Sequence, residues 1–246
     1  MLQINPKLET ENITKFIKNT LEKQGFKNLV IGVSGGIDSA VSLALAQKAI
    51  GEKKVFSFFL SYKKQKLNHK AYKTIDITNP VDSLIKATDA QDKIAIGNII
   101  ARVRMIMLFA KAQKHQALVL GTENRSENLL GYFTRFGDAA SDIEPISHLY
   151  KTQIYQLAKY LEIPQSIILA KPTAGLWQNQ TDEAEFGFSY KLADEILYCY
   201  FDKKESLENL EKKLGKETVT KVLLRVKQNL FKQRVPYRLQ LVFSKA

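Results

Sequence analysis

Apolar positions fall into two alternating periodicities along the first half of the chain. Leu29, Val30, Ile31 and Val33 form a β-branched run without a polar face, which predicts a strand buried on both sides, and Ser34-Gly35-Gly36 breaks it. From Ser39 the spacing turns helical, through Ala40, Val41, Leu43, Ala44, Leu45, Ala46 and Ala49, and Gly51 supplies the stop. Residues 54–60 (KVFSFFL) predict a central parallel strand, so residues 29–60 read as a strand–helix–strand unit. Ahead of it, residues 10–25 predict a helix capped at Thr10 and closed at Gly25, with Ile13, Phe16, Ile17 and Leu21 on one stripe.

Further short strands are predicted at 73–77 and 117–120, and helices at 81–87, 94–114 and 125–130. The apolar residues of the 94–114 helix cover much of its circumference, which suits burial in the core or against a second subunit. Only about a dozen residues link the strand ending at Leu60 to the next, close to the minimum for a parallel crossover. Beyond Leu149 the pattern is helical, at 150–161, 165–170, 189–201, 205–214 and 216–230, with a polar loop over 171–187. The fold class expected is α/β: a Rossmann-like doubly wound parallel sheet with flanking helices and a helical C-terminal part. One domain spanning 1–246 is expected, its sheet core at about 10–150 and its helical part at about 150–246.

Composition narrows this picture. A 246-residue chain with 45% hydrophobic content can bury a full core. The longest apolar-rich segment, residues 94–112, is interrupted by Asn98, Arg102, Arg104 and Lys111, and the N-terminus lacks a signal-peptide pattern, so a cytoplasmic protein without a membrane partner is expected. The single cysteine, Cys199, sits among Ile196, Leu197, Tyr198 and Tyr200 and reads as a buried structural thiol. A net charge of +12 admits either nucleic acid or a polyanionic small substrate. The lysines fall in short scattered runs without aromatic platforms, so no dedicated nucleic-acid surface is expected. His69, His115 and His148 are isolated and read as solvated or structural.

The chemistry concentrates where the first strand meets its helix, at Gly32-Val33-Ser34-Gly35-Gly36-Ile37-Asp38-Ser39. Glycines let the backbone approach oxygens, two serines donate, and the helix N-terminus favours an anion. No lysine follows Gly36, so this is not a Walker loop, and it lacks the dinucleotide G-x-G-x-x-G spacing. A carboxylate inside a phosphate cradle repels its ligand unless a divalent cation bridges them, so Asp38 predicts magnesium.

The loop resembles the pyrophosphate loop of ATP pyrophosphatases, which transfer AMP from ATP to a carboxylate or carbonyl oxygen and release pyrophosphate. Synthetases and tRNA-modifying enzymes share it. The remaining segments resemble ammonia-dependent NAD synthetase: Gly97-Asn98-x-x-Ala101-Arg102-x-Arg104-Met105, Gly121-Thr122 with Glu127, residues 131–145 (GYFTRFGDAASDIEP), Lys151, Lys171-Pro172-Thr173-Ala174, Asp182-Glu183 with Gly187, and Lys232 with Pro236, all in family order. The resemblance implies that residues 32–39 with Thr122, Lys151 and Thr173 hold ATP, and that Asp38 and Glu127 hold magnesium. It implies further that Arg102, Arg135, Asp142 and Lys232 hold deamido-NAD, and that Asp138 and Lys151 lie near the reacting centre.

The activity so implied is amidation of deamido-NAD by ammonia through an acyl adenylate, giving NAD, AMP and pyrophosphate, in a homodimer whose interface includes the 94–114 helix. Too few residues precede Thr10 for a glutaminase domain, so ammonia is expected from solution or another protein. Arg135, Gly175 and Phe231 depart from the family's Lys, Asp and His, and the 61–72 crossover is shorter than the family's. A tRNA-modifying ATP pyrophosphatase and a nucleotide sensor without turnover are the alternatives.

Overall fold

A computed structural model describes residues 2–63, 72–173, 175–177, 180–233, 235–237 and 239 of the 246. Four strands, β1 (Asn28–Gly32), β2 (Val55–Ser61), β3 (Lys73–Asp76) and β4 (Ala117–Leu120), form one parallel sheet in the order β3-β2-β1-β4. β1 is central, with Ile31 opposite Ser57 of β2 and Leu120 of β4. The helices are α1 (Pro6–Gln24), α2 (Ile37–Ile50), α3 (Thr78–Thr88), α4 (Lys93–His115), α5 (Arg125–Leu130), α6 (Lys151–Tyr160), α7 (Gln165–Ile168), α8 (Asp182–Phe186), α9 (Tyr190–Leu197), α10 (Leu207–Leu214) and α11 (Lys216–Asn229).

The two-residue period of β1 sorts its side chains onto opposite faces. Leu29 and Ile31 pack with Ile13 and Ile17 of α1, Val41 and Leu45 of α2, and Ile154 and Leu157 of α6. Val30 packs instead with Phe58, Val81 of α3, Ile100 and Val103 of α4, and Val119. The sheet is therefore covered on both sides, as the continuous apolar run of β1 requires. A third core, without strands, gathers Leu130, Tyr150, Phe186, Tyr190, Ile196, Leu210, Val219 and Val222. It reaches the sheet through α5 and the residue before α6.

Several boundaries differ from the sequence expectation for local reasons. α1 begins at Pro6 rather than after Thr10: Asn5 caps it by accepting the Leu8 N–H at 3.2 Å, and the Thr10 hydroxyl instead donates to the Pro6 carbonyl at 2.7 Å. α3 starts at Thr78 and carries Pro80 in its first turn, where a missing N–H costs no hydrogen bond. α8 forms inside the polar loop, and α9 gives way at Tyr198 to one π-helical turn ending at Asp202. Residues 64–71, which hold His69 and most of the short crossover, lie outside the described residues, as does Ala174. His115 stacks on Phe56 with ring centroids 3.9 Å apart, and His148 pairs with Glu9 at 3.1 Å. Cys199 is buried and free. No helix among the described residues is long and apolar enough to cross a membrane.

Leu29 is fully enclosed in the central strand, so Leu29→Ala leaves a cavity on the α1–α2–α6 side. We expect a loss of about 2–5 kcal/mol in urea denaturation, against less than about 0.5 kcal/mol for Leu8→Ala at an exposed position of α1. Equal losses at the two sites would contradict this packing.

Candidate active site

The turn after β1 is built to receive an anion. The Val33 N–H still donates to Phe58 O at 2.9 Å, and the chain leaves the sheet at Ser34. Gly35 adopts φ +85°, a conformation that side chains disfavour, and Gly36 caps α2 with no side-chain acceptor on the first N–H groups. The Ser34 hydroxyl accepts the Gly36 N–H at 3.2 Å; the Ser39 hydroxyl accepts the Ser34 N–H at 3.2 Å and donates to Gly36 O at 3.0 Å. The side chains of Val33 and Ile37 are buried in the sheet core, so only their backbone faces the turn.

Beside it, three helix starts converge on one ammonium. Lys151, the first residue of α6 and 2% exposed, donates to Asp38 Oδ2 at 2.5 Å and to Glu127 Oε1 at 3.0 Å. Asp38 lies in the first turn of α2, where its other oxygen accepts the Asn124 amide at 2.9 Å. Asn124 in turn caps α5, accepting the Glu127 N–H at 3.0 Å while Glu127 Oε2 receives the Asn124 N–H at 3.4 Å. Burial works against the Lys151 charge, but Asp38 and Glu127 outweigh it and hold the ammonium's pKa above the ordinary lysine range. Burial, with the Asp38 charge, pushes Glu127 upward to about 8 even though Lys151 pulls it down. A third carboxylate, that of Asp182 in α8, is buried nearby; one oxygen accepts the Tyr190 hydroxyl at 3.0 Å, and the other has no hydrogen-bond partner among the described residues.

Asp38 and Glu127 already share one cation, and their hard oxygen donors suit magnesium, which takes one or two protein carboxylates and completes its shell with phosphate and water. Among the described residues no group of three or more His, Cys, Asp or Glu forms a protein-only metal cage.

A second group lies on the loop after α5. Asp138 accepts the Thr134 N–H at 2.8 Å, and burial raises its carboxyl above the usual range, partly offset by that bond and by the Lys232 charge. Lys232 donates to Gly131 O at 2.8 Å and to Phe133 O at 3.1 Å. The Arg135 guanidinium stands 5.6 Å from both the Phe136 and the Phe231 ring centroids, so Arg135 and Phe231, two of the departures, contact each other. Arg102 on α4 donates to Arg135 O at 3.3 Å, and Arg104 Nε to Leu60 O at 3.3 Å.

The other sequence-derived residues stand differently. Thr122 follows β4, and exposed Thr173 engages locally, accepting the Gly175 N–H at 3.0 Å. Asp142 accepts the Val119 N–H at 2.7 Å along the outer edge of β4, where Ile143 also bridges to Leu120, and lines a hollow of about 720 Å³ with Phe26 and Phe109. Asn124, Asp182 and Tyr190 belong to the lysine-centred group; the sequence marks Asp182 only as part of a family match with no role attached, and it marks neither Asn124 nor Tyr190 as a site residue. The Asn-x-x-Glu spacing at 124–127 is a legible capping signal, whereas nothing local marks Tyr190 as a partner of Asp182.

Comparison with known proteins identifies the family and the fold. Residues 9–236 match the family model described as NAD synthase. The NH3-dependent NAD+ synthetase of Thermoplasma acidophilum is 48% identical over 79% of this chain and 85% of its own length, and that of Thermococcus kodakarensis 44% identical over 92% and 94%. Among solved structures, an NMN synthetase from Francisella tularensis superposes with a TM-score of 0.82 at 29% identity, covering 97% of this chain and 100% of that one. The NH3-dependent NAD synthetase of Campylobacter jejuni, in complex with nitrate, does so at 0.80 with the same identity and coverage.

Two further acids crowd this end of the sheet. Glu144 accepts the Glu123 N–H at 3.1 Å and the Ser141 hydroxyl at 2.6 Å, and it lies so close to Gly121 that a Cβ there would fall 1.9 Å from its carboxylate. Burial first, and the Glu144 charge second, push the Glu123 carboxyl from 4.5 to about 8. The folded chain thus keeps a proton that the unfolded chain loses above pH 4.5, so this group lowers stability as pH rises from there to about 8. Glu123→Gln removes the charge and keeps an acceptor for Asn128; we expect its melting temperature to exceed wild type by about 2–4 °C at pH 8 and to match it near pH 5. An equal shift at both pH values in thermal scans would remove charge as the cause.

Proposed function

The chain belongs to the NAD synthase family, and from that membership we propose how its residues share the work. It is a C–N ligase that makes NAD, AMP and pyrophosphate from deamido-NAD, ATP and ammonia through an acyl adenylate. The observation that carries the assignment of roles is the uncapped start of α2 lying beside the buried Lys151 ammonium.

ATP lays its phosphates on the Gly32–Ser39 turn, whose free N–H groups and serine hydroxyls meet their oxygens, with Thr122 and Thr173 as further contacts. In the first step the nicotinate carboxylate attacks the α-phosphorus, bringing two anions together, and the Lys151 ammonium offsets the charge that develops. Magnesium held by Asp38 and Glu127 would neutralise the departing pyrophosphate. Arg102, Arg135, Lys232 and Asp142 bind deamido-NAD. In the second step ammonia attacks the acyl carbon, the acyl–oxygen bond breaks to release AMP, and the Asp138 carboxylate, made more basic by burial, takes the proton that the nitrogen must lose. The α4 surface that leaves Ile94 and Ile106 exposed supports a homodimer through this helix, and the reading includes a cytoplasmic location.

A second reading, a mononucleotide substrate, draws support from the superposition on NMN synthetase. One assay separates the two: NAD formation from deamido-NAD with ammonia, run beside amidation of nicotinate mononucleotide. We expect ammonia to serve without glutamine and the dinucleotide to give the higher kcat/KM; the reverse preference would transfer the assignment. In the same assay Asp38→Asn should cost at least about 10-fold and abolish the response to magnesium, and Lys151→Met about 100-fold or more in kcat. Wild-type kinetics for either would refute its role.

A further inference from the structure

We infer that Asp194, on α9 and outside the catalytic group, is the positioning residue that sets Lys151 and Glu127 at their working separation; this rests on the roles proposed above for those two side chains. Asp194 is fully buried, and both its oxygens are committed to the helices that carry them. Oδ1 accepts the Ser126 hydroxyl at 2.5 Å, and Oδ2 accepts the Thr152 N–H at 2.8 Å. The Ser126 oxygen also accepts the Lys151 N–H at 2.8 Å. One carboxylate and one hydroxyl therefore lock the residue beside Glu127 in α5 to the first two residues of α6.

Charge gives the arrangement its reason. Lys151 places an ammonium at the first position of α6, where the helix end is already positive, an unfavourable pairing that the Asp194 carboxylate counters from behind. An apolar side chain could fill the same space in the helical core without the cost of burying a carboxylate. What it could not do is hold two backbone segments by directed hydrogen bonds, and misplacement by about 1 Å can cost 10²-fold in rate.

The test uses Asp194→Asn, which keeps the shape but loses the charge and one acceptor, and Ser126→Ala, which breaks the same link from the other side. With magnesium and ATP saturating, we expect each to lower kcat by about 10- to 100-fold, to leave the deamido-NAD KM within about twofold, and to be non-additive in the double variant. A lowered melting temperature with wild-type kcat per folded molecule would overturn the inference, as would additive losses. If Asp194→Asn does not fold, Ser126→Ala decides alone by the same kcat criterion. Lys151→Met, run in parallel, separates the levels. Full activity there removes the site reading and this inference with it, whereas an inactive Lys151→Met beside fully active Asp194→Asn and Ser126→Ala removes this inference only.

Discussion

The ammonium of Lys151, held between Asp38 and Glu127 with almost no access to water, is the contact on which the arrangement of the site depends. It joins three helix starts: α2 after the central strand, α5 after the edge strand, and α6 from the helical half. Buried ion pairs owe much of their worth to geometry, because desolvation offsets most of the attraction, yet removal of one partner strands the others at a cost of about 3–5 kcal/mol. The lysine is therefore a structural clamp in this protein as well as a buried charge.

The fold explains why such a clamp sits here. Parallel strands deliver their carboxyl ends, and the helices that follow them, to one rim of the sheet, where the starts of α2 and α5 both point. Helix starts carry partial positive charge, so this rim favours anions before any side chain is counted. The acids Asp38, Glu127, Glu123, Glu144 and Asp138 gathered near it would be self-repelling without Lys151 and Lys232. Burial raises Glu123, Glu144 and Asp138 accordingly.

The helical half does more than cover the sheet. α8 and α9 bring Asp182, Tyr190 and Asp194 to the back of the lysine, and Asp202 in the π turn accepts the Tyr150 hydroxyl at 2.7 Å beside the start of α6. The third core, built from Leu130 and Tyr150 together with α9 to α11, makes these placements rigid. Arg135 against Phe231 ties the segment after α11 to the loop after α5 in the same way.

Much of this was legible in the order of residues. The unbroken apolarity of residues 29–33 dictated a strand covered on both faces. The glycines and serines at 32–39 dictated a tight polar turn at a helix start, and the missing lysine with the added Asp38 led to the expectation of a cation beside it. These are local facts, set by the period of side chains along a strand and by backbone freedom at glycine. The family motifs named Glu127, Lys151 and Asp138 from far-apart stretches. What only the tertiary structure decided is which charges meet: that Lys151 answers both Asp38 and Glu127, that Asn124 and Asp194 hold them from outside the motifs, and that Asp142 spends an oxygen on the edge of β4. Those pairings join residues dozens of positions apart, and their strength comes from burial, a property that no short stretch of sequence possesses until the three cores close around it.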